Sequence, residues 1–243
     1  MSDIFSLRPE ARYGCPSADQ ILVNRFYMVG YSYYFRQAKW ALDIVDPDKK
    51  DMDEVERLNN FRPDYRVPER FRAGLSDYRK SGYDRGHLVA SEDLDDEFIQ
   101  NSETFLLTNM CPQKPEFNRN TWRQLESAIR GLDADPDVLE TYVISGPIFS
   151  FADPIMMIGE DDRNGVSIPV PSHFYKAVLT EEKSGKLKMW AFQMKNEALE
   201  GDLKDYRVPV SFIEQRTGML LWSNLSGRKI EREKDRIRAM WRY

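Results

Sequence analysis

The sequence predicts an α+β fold with a mostly antiparallel central sheet and flanking helices. Three observations carry this. At 243 residues, with 41% apolar and 31% charged side chains, the chain is long enough to bury a sizeable core and too apolar to be disordered. Short β-branched and aromatic runs recur along it and pair through turns. Helical spacing of apolar residues is confined to short stretches. No internal repeat and no long linker divides the chain, so it reads as one domain over 1–243, with a basic C-terminal tail over 226–243.

The elements follow in order. Residues 27–35 and 40–45 are aromatic and β-branched, a hairpin broken by Arg36, Gln37, Ala38 and Lys39. Residues 46–56 are acidic and polar, a loop with a short helix. Pro63 and Pro68 interrupt regular structure, so 61–83 is expected to be mostly irregular. Residues 83–89 form a short strand, 93–101 a helical turn, and 105–109 a buried strand. Over 121–132, Trp122, Leu125, Ile129 and Leu132 recur at helical spacing. Residues 141–145 make a core strand ending at Gly146 and Pro147. Strands follow at 166–170, 174–180 and 186–194, the last two a hairpin turning at Lys183, Ser184, Gly185 and Lys186. Residues 211–217 form a short helix that Gly218 stops.

Composition excludes several classes. No apolar stretch approaches the roughly 18–20 residues of a membrane span, so no membrane partner is expected. The start has neither a basic region nor a long apolar one, and the end is not a lipidation box. The expected compartment is therefore intracellular as synthesised, with any export by a leaderless route. Two cysteines, Cys15 and Cys111, read as reduced thiols. Two histidines, His87 and His173, rule out a His-rich zinc site and leave two candidates for imidazole chemistry.

A formal net charge of −5 argues mildly against a polyanionic partner. The charge is uneven, however. Residues 43–56 hold seven acids and two lysines; 57–87 hold eight Arg/Lys and four acids; 228–243 hold seven and three. Two basic segments on an acidic background point to a local anion site. Taken alone, such runs are as easily solvated faces.

Asp84-Arg85-Gly86-His87 combines an acid, a guanidinium, a flexible glycine and an imidazole. Histidine near its free pKa of about 6.5 can act as a general base, and arginine binds phosphate through its planar fork. By itself the string is as simply a structural histidine in a strand. Further on, Asn118 and Asn120 precede a helix that carries Glu126. Such asparagines are commonly N-caps, but an amide oxygen is also a hard, neutral ligand for a hydrated Mg²⁺. If both ends were helical, Asn118 and Glu126 would be about 12 Å apart along the axis. Glu126 is then better placed to hold a water on the ion than the ion itself. Its plain alternative is a surface ion pair.

Three spaced motifs now stand together. They are Tyr78-x-x-Ser81-Gly82-Tyr83-Asp84-Arg85-Gly86-His87-Leu88, Thr108-Asn109-Met110-x-Pro112-Gln113, and Asn118-x-Asn120-x-Trp122-x-x-Leu125-Glu126. In order and spacing this pattern resembles the DNA/RNA non-specific endonucleases with a ββα-metal (His-Me finger) site. The resemblance extends through Tyr13-Gly14-x-Pro16, Trp40, Asn60-Phe61-Arg62-Pro63-Asp64, Ser145-Gly146-Pro147, Ile168-Pro169-Val170-Pro171 and 218–224, covering about 13–225.

The resemblance implies a role for each matching residue. His87 would be the general base on the attacking water. Asn118 would be the one direct protein ligand of a hydrated Mg²⁺, with Mn²⁺ able to substitute, and Glu126 would hold a water on that ion. Arg57 and Arg85 would face the scissile phosphate, with Arg62 and Arg66 along a substrate groove. The products would be 5′-phosphate and 3′-hydroxyl ends of DNA or RNA, cut with little base preference because phosphate contacts carry little sequence information. A protein inhibitor and a homodimer are the further partners this family allows. The chain departs from many members in two respects. Leu88-Val89-Ala90-Ser91 replaces an Ala-Pro run, which leaves the chemistry untouched. Its start is also expected to carry no leader segment, which would call for an inhibitor, a trigger or an unusual export route. His173, Phe192, Leu220, Leu221 and Trp222 read as core or loop residues. The alternative function is a catalytically silent nucleic-acid- or inhibitor-binding module of the same fold. The presence of His87, Asn118 and Arg57 argues against it.

Overall fold

In the computed structural model, residues 8–45, 55–152, 154–159 and 167–243 are described. In chain order the strands are β1 (Gln20–Val23), β2 (Tyr27–Ser32), β3 (Gln37–Ile44), β4 (Asp84–His87), β5 (Met110–Gln113), β6 (Val138–Ile148), β7 (Met157–Ile158), β8 (Ile168–Pro169), β9 (His173–Glu182), β10 (Leu187–Lys195) and β11 (Arg207–Val208). The helices are α1 (Leu75–Tyr78), α2 (Phe98–Thr104), α3 (Arg123–Asp133), α4 (Val210–Thr217) and α5 (Arg228–Lys234).

Among the described residues the main sheet has seven strands in the order β1-β2-β3-β6-β9-β10-β11, every pairing antiparallel. The expected α+β architecture is therefore present. Both faces of the sheet are covered. On one, Val143, Val178 and Phe174 pack against Trp122, Leu125 and Ile129. On the other, Leu42, Ile144 and Leu179 pack against Val210 and Ile213 of α4 and against Trp222. This double burial explains why β9 and β10 read as near-continuous apolar runs rather than alternating ones. Phe192, Leu221 and Trp222 are core residues, as expected, whereas Leu220 is exposed. The end of the chain is also packed. Trp241 lies edge-on to Trp190 and Phe192, and its indole N–H donates to the Ala128 carbonyl of α3.

Several expected boundaries move, each for a physical reason. The hairpin is β2–β3, but β3 begins at Gln37, inside the anticipated break. Arg36 turns the chain with φ +52°, and the buried Gln37 amide donates to the Pro169 carbonyl. The anticipated strand at 105–109 is instead a tight turn at Leu107–Asn109, and the strand starts at Met110. The Asn109 side chain fixes that turn by donating to the carbonyls of Val89 and Thr104 and accepting from the Val89 N–H. β6 runs on through Gly146 and Pro147. β3 pairs only with 142–145, so Pro147, which has no N–H, lies where β9 is the sole neighbour. The strand expected at 166–170 shortens to β8, and Val166 lies outside the described residues, as do residues 46–54 of the acidic loop. The helical turn expected at 93–101 appears later, as α2. Gly218 does stop α4, at φ +69°.

The irregular stretch before β4 is held by a buried carboxylate. Asp64 accepts from Arg66 through both oxygens at 2.9 and 2.6 Å, and from Thr108 at 2.9 Å. Arg66 also donates to the Val23 carbonyl and to Asn24, tying the loop to the end of β1. Burial raises the Asp64 pKa, but the hydrogen bonds and charge of Arg66 outweigh it, and the net shift is downward from 3.8. A depressed carboxylate contributes stability that is complete above its unfolded pKa and is lost as pH falls through the folded one. Asp64→Asn should therefore lower stability by about 2 kcal/mol at pH 7. In urea titrations the gap from wild type should close below about pH 4. A pH-independent gap would refute this account.

Candidate active site

The site is built on the two-stranded β4–β5 sheet, in which Arg85 faces Pro112 and His87 faces Met110. Strand alternation points Arg85 and His87 to the same side. Gly86 between them is required by a close approach. A Cβ there would lie 2.0 Å from the buried Gln113 side chain, so any larger residue would force that side chain out of its place.

Two phenylalanines set the pose of the cationic groups. The His87 ring sits edge-on to Phe61 and Phe105, at 5.7 and 5.0 Å. The guanidinium of Arg85 lies 4.0 Å above Phe61, and that of Arg57 lies 5.1 Å from Phe105. Arg57 is fixed further by donating to Ser91 Oγ at 2.6 Å and to Asn59 Oδ1 at 3.0 Å.

Asn118 stands in a six-residue π-helical segment, Phe117–Trp122, that leads into α3. Such wide turns recur at functional sites because they re-aim side chains. Here the Asn118 amide nitrogen donates to Asp84 Oδ2 at 3.0 Å, which leaves its oxygen as the end available to a cation. Asp84 also takes two hydrogen bonds from Arg119, each 2.8 Å. Glu126, one turn into α3, is largely buried and has the Lys176 ammonium 3.7 Å from Oε1.

Five of the predicted residues, Arg57, Arg85, His87, Asn118 and Glu126, line one cleft of about 320 Å³. Ser91, Glu92, Arg119 and Arg123 line it too. Arg62 and Arg66 do not. Arg62 donates to the Asn60 and Ser102 carbonyls, and Arg66 is committed to Asp64. The structure therefore does not bring these two to the cleft, and both guanidiniums help to hold the loop. His173 lies apart from the cleft, with Nδ1 3.0 Å from Ser172 Oγ.

The electrostatics differ from the expectation of an ordinary histidine. Burial, followed by the charges of Arg57, Arg85 and Lys176, pushes His87 down to about 3. Its imidazole is therefore neutral at neutral pH, the form that can accept a proton. Nε2 is buried without a hydrogen-bond partner, so Nδ1 is the nitrogen with access to the cleft. Burial pushes Glu126 the other way, up to about 7, against the pull of Lys176. Its charged form depends on nearby cations.

With the geometry established, the chain can be set beside known proteins. Residues 9–227 match the profile of the DNA/RNA non-specific endonucleases. The chain belongs to that family. It is 31% identical to human mitochondrial endonuclease G over 223 residues, spanning 90% of this chain and 74% of the relative. It is 34% identical to the mitochondrial nuclease of Saccharomyces cerevisiae over 241 residues, 90% and 71% respectively. A crystal structure of an EndoG/EndoGI complex superposes with a TM-score of 0.79 at 29% identity, covering 89% of this chain and 91% of that one. The enzyme class is thus that of a DNA/RNA endonuclease.

Sequence reading of this family member missed Arg119, Arg123 and Lys176, and gave Asp84 no role of its own. Arg119 and Arg123 flank recognised positions on the same turn, a signal that helical spacing could have used. Lys176 interrupts the apolar run Phe174, Tyr175, Ala177, Val178 and Leu179, which is itself a mark of a buried charge.

The low His87 value can be checked directly. In ¹⁵N–¹H spectra of the nucleic-acid-free protein, the His87 ring should stay neutral from pH 8 down to pH 5. A titration midpoint near 6.5 would show that burial and the two arginines do not control it.

Proposed function

We propose that this protein is a metal-dependent endonuclease that hydrolyses phosphodiester bonds of DNA and RNA without base preference, leaving 5′-phosphate and 3′-hydroxyl ends. The observation that carries this reading is the convergence of Arg57, Arg85, His87, Asn118 and Glu126 on one cleft.

The donor set fits a hydrated divalent cation. Among the described residues no three His, Cys, Asp or Glu come together, so a multi-ligand cage is not offered. Asn118, with its nitrogen end held by Asp84, would hold the ion directly, and Glu126 would hold one of its waters. Mg²⁺ suits such a site because it keeps most of its hydration, and Mn²⁺ is expected to replace it. When bound, the ion would offset charge at the phosphate and at the departing 3′ oxygen.

The protein groups divide the remaining work. Arg57 and Arg85 would take non-bridging phosphate oxygens through paired N–H donors, bonds that strengthen as charge builds in the transition state. His87 would accept a proton from the attacking water through Nδ1. A bound phosphate would also counter the guanidinium charges that depress its pKa, making it a stronger base when substrate is present. Contacts of this kind read backbone, not bases, which supports action on both nucleic acids. The EndoG/EndoGI complex, solved to explain inhibition of EndoG, supports a protein inhibitor as a partner class for this chain too.

Purified protein should degrade plasmid DNA and single-stranded RNA in Mg²⁺. It should stop in EDTA and recover on addition of Mg²⁺ or Mn²⁺. His87→Ala should lose about 10²–10⁴-fold in rate with an unchanged circular dichroism spectrum. Full activity in EDTA would exclude the mechanism.

Arg123, exposed at the cleft, is the better candidate for a groove contact than Arg66. Single-turnover cleavage at several salt concentrations should separate it from Arg57. Arg123→Ala should weaken binding and reduce the salt slope by about 0.9, leaving the saturating rate nearly intact. Arg57→Ala should cut the saturating rate itself. Identical behaviour of the two variants would remove the distinction.

A further inference from the structure

Lys176 lies in the middle of β9 with its side chain only 2% exposed, and it does not line the cleft. An ammonium carries three N–H donors. Two go to the Leu88 carbonyl and to Ser145 Oγ of β6, each at 2.9 Å. Asp43, Asp93 and Glu126 all feel its charge, and of these Glu126 is the one that pairs with it, Oε1 lying 3.7 Å away, an oxygen that is buried and has no hydrogen bond of its own. The same ammonium lies 4.6 Å from the ring centroid of Trp122, whose indole N–H donates to the His87 carbonyl at 3.0 Å.

One buried cation therefore touches three separate pieces: the residue after His87, the main sheet, and the carboxylate of α3. A lysine used only to fill space in the core would be unfavourable, since a buried ammonium must be fully partnered to offset its lost hydration. Its partners are also informative. Leu88, directly after β4, and Glu126, in α3, mark the two elements that must be held in register for His87 and Glu126 to share a cleft.

We propose that Lys176 is a positioning residue for the cleavage reaction, setting the Glu126 carboxylate and the His87 strand against the main sheet. It acts through Glu126 and does not touch substrate. This rests on the reading that Glu126 holds a water of the metal ion.

The test is a double-mutant cycle of Lys176→Met and Glu126→Gln, with kcat and KM measured on duplex DNA. Mn²⁺ affinity is measured separately by electron paramagnetic resonance on nucleic-acid-free protein. Lys176→Met should lower kcat by about 10–100-fold and weaken Mn²⁺ binding about tenfold, with KM for DNA nearly unchanged. In the Glu126→Gln background the same change should cost less than about threefold, because the group it positions is already gone. If the two losses multiply in full, Lys176 is merely structural and the proposal is overturned. If Glu126→Gln is itself harmless, the role of Glu126 and the proposal fall together. That result is distinct from full multiplication, which spares Glu126. Should Lys176→Met fail to fold by circular dichroism, Ser145→Ala replaces it. Loss of that one hydrogen bond should lower kcat several-fold, again only when Glu126 is present, and an unchanged kcat overturns the proposal.

Discussion

Two strands of four residues are not stable alone in water, yet β4 and β5 carry Arg85 and His87. Everything at the cleft depends on docking this pair to the main sheet. Trp122 supplies the apolar part. It is fully buried, packs on Phe117 and Phe174, and bonds the His87 carbonyl. Asn196 supplies a polar tether from beyond the end of β10, donating to the Pro112 and Pro171 carbonyls and accepting from the Lys114 N–H. Asn109 closes the other end against Val89. A small sheet with its backbone so pinned can present two side chains at fixed spacing without strands long enough to be stable themselves.

The cleft also shows how an acidic protein offers a cationic surface. Arg57, Arg85, Arg119 and Arg123 meet at one opening, and among the described residues Arg119 alone of these has an ion pair of its own, to Asp84. The acids beneath it add little negative charge. Asp93 pairs with Arg130 and Glu126 with Lys176. Asp43 is sealed in the core with both carboxyl oxygens unpartnered, and burial holds its pKa well above the usual range, which keeps it protonated and uncharged. With guanidiniums gathered at the opening, the local field seen by a phosphate bears little relation to the net charge of −5.

Much of this was legible in the sequence, because local signals and packing agreed. Aromatic and β-branched runs marked the long strands, and the spacing of Trp122, Leu125, Ile129 and Leu132 marked α3. The motifs carried four of the five predicted cleft residues, Arg85, His87, Asn118 and Glu126, and Arg57 followed from the resemblance. What escaped was decided by long-range contacts. β1 is four residues whose pairing exists only because β2 is beside it. Asn109 turned an apolar stretch into a bend through three side-chain hydrogen bonds, two of them to the backbone of Val89, twenty residues away. Arg62 and Arg66 looked like groove cations because some of their acceptors, the Ser102 carbonyl and the Asn24 side chain, are about 40 residues away, although Asp64, the main partner of Arg66, is only two residues from it. The depressed pKa of His87 was equally invisible, since it comes from burial and from arginines brought together by folding.

The π-helical segment at Phe117–Trp122 bears on how this chain tolerates insertions and deletions. An α-helix advances about 100° per residue, so one residue gained or lost between Asn118 and Glu126 would rotate one of them away from the cleft. The same change would turn Leu125 and Ile129 off the sheet and bring polar residues such as Gln124 and Arg130 toward it. By contrast, the hairpin bend between β9 and β10 is exposed, and a residue added there alters neither face of the sheet. Length polymorphism in this protein should therefore concentrate at such bends, with the count of residues between Asn118 and Glu126 held fixed even where their identities drift.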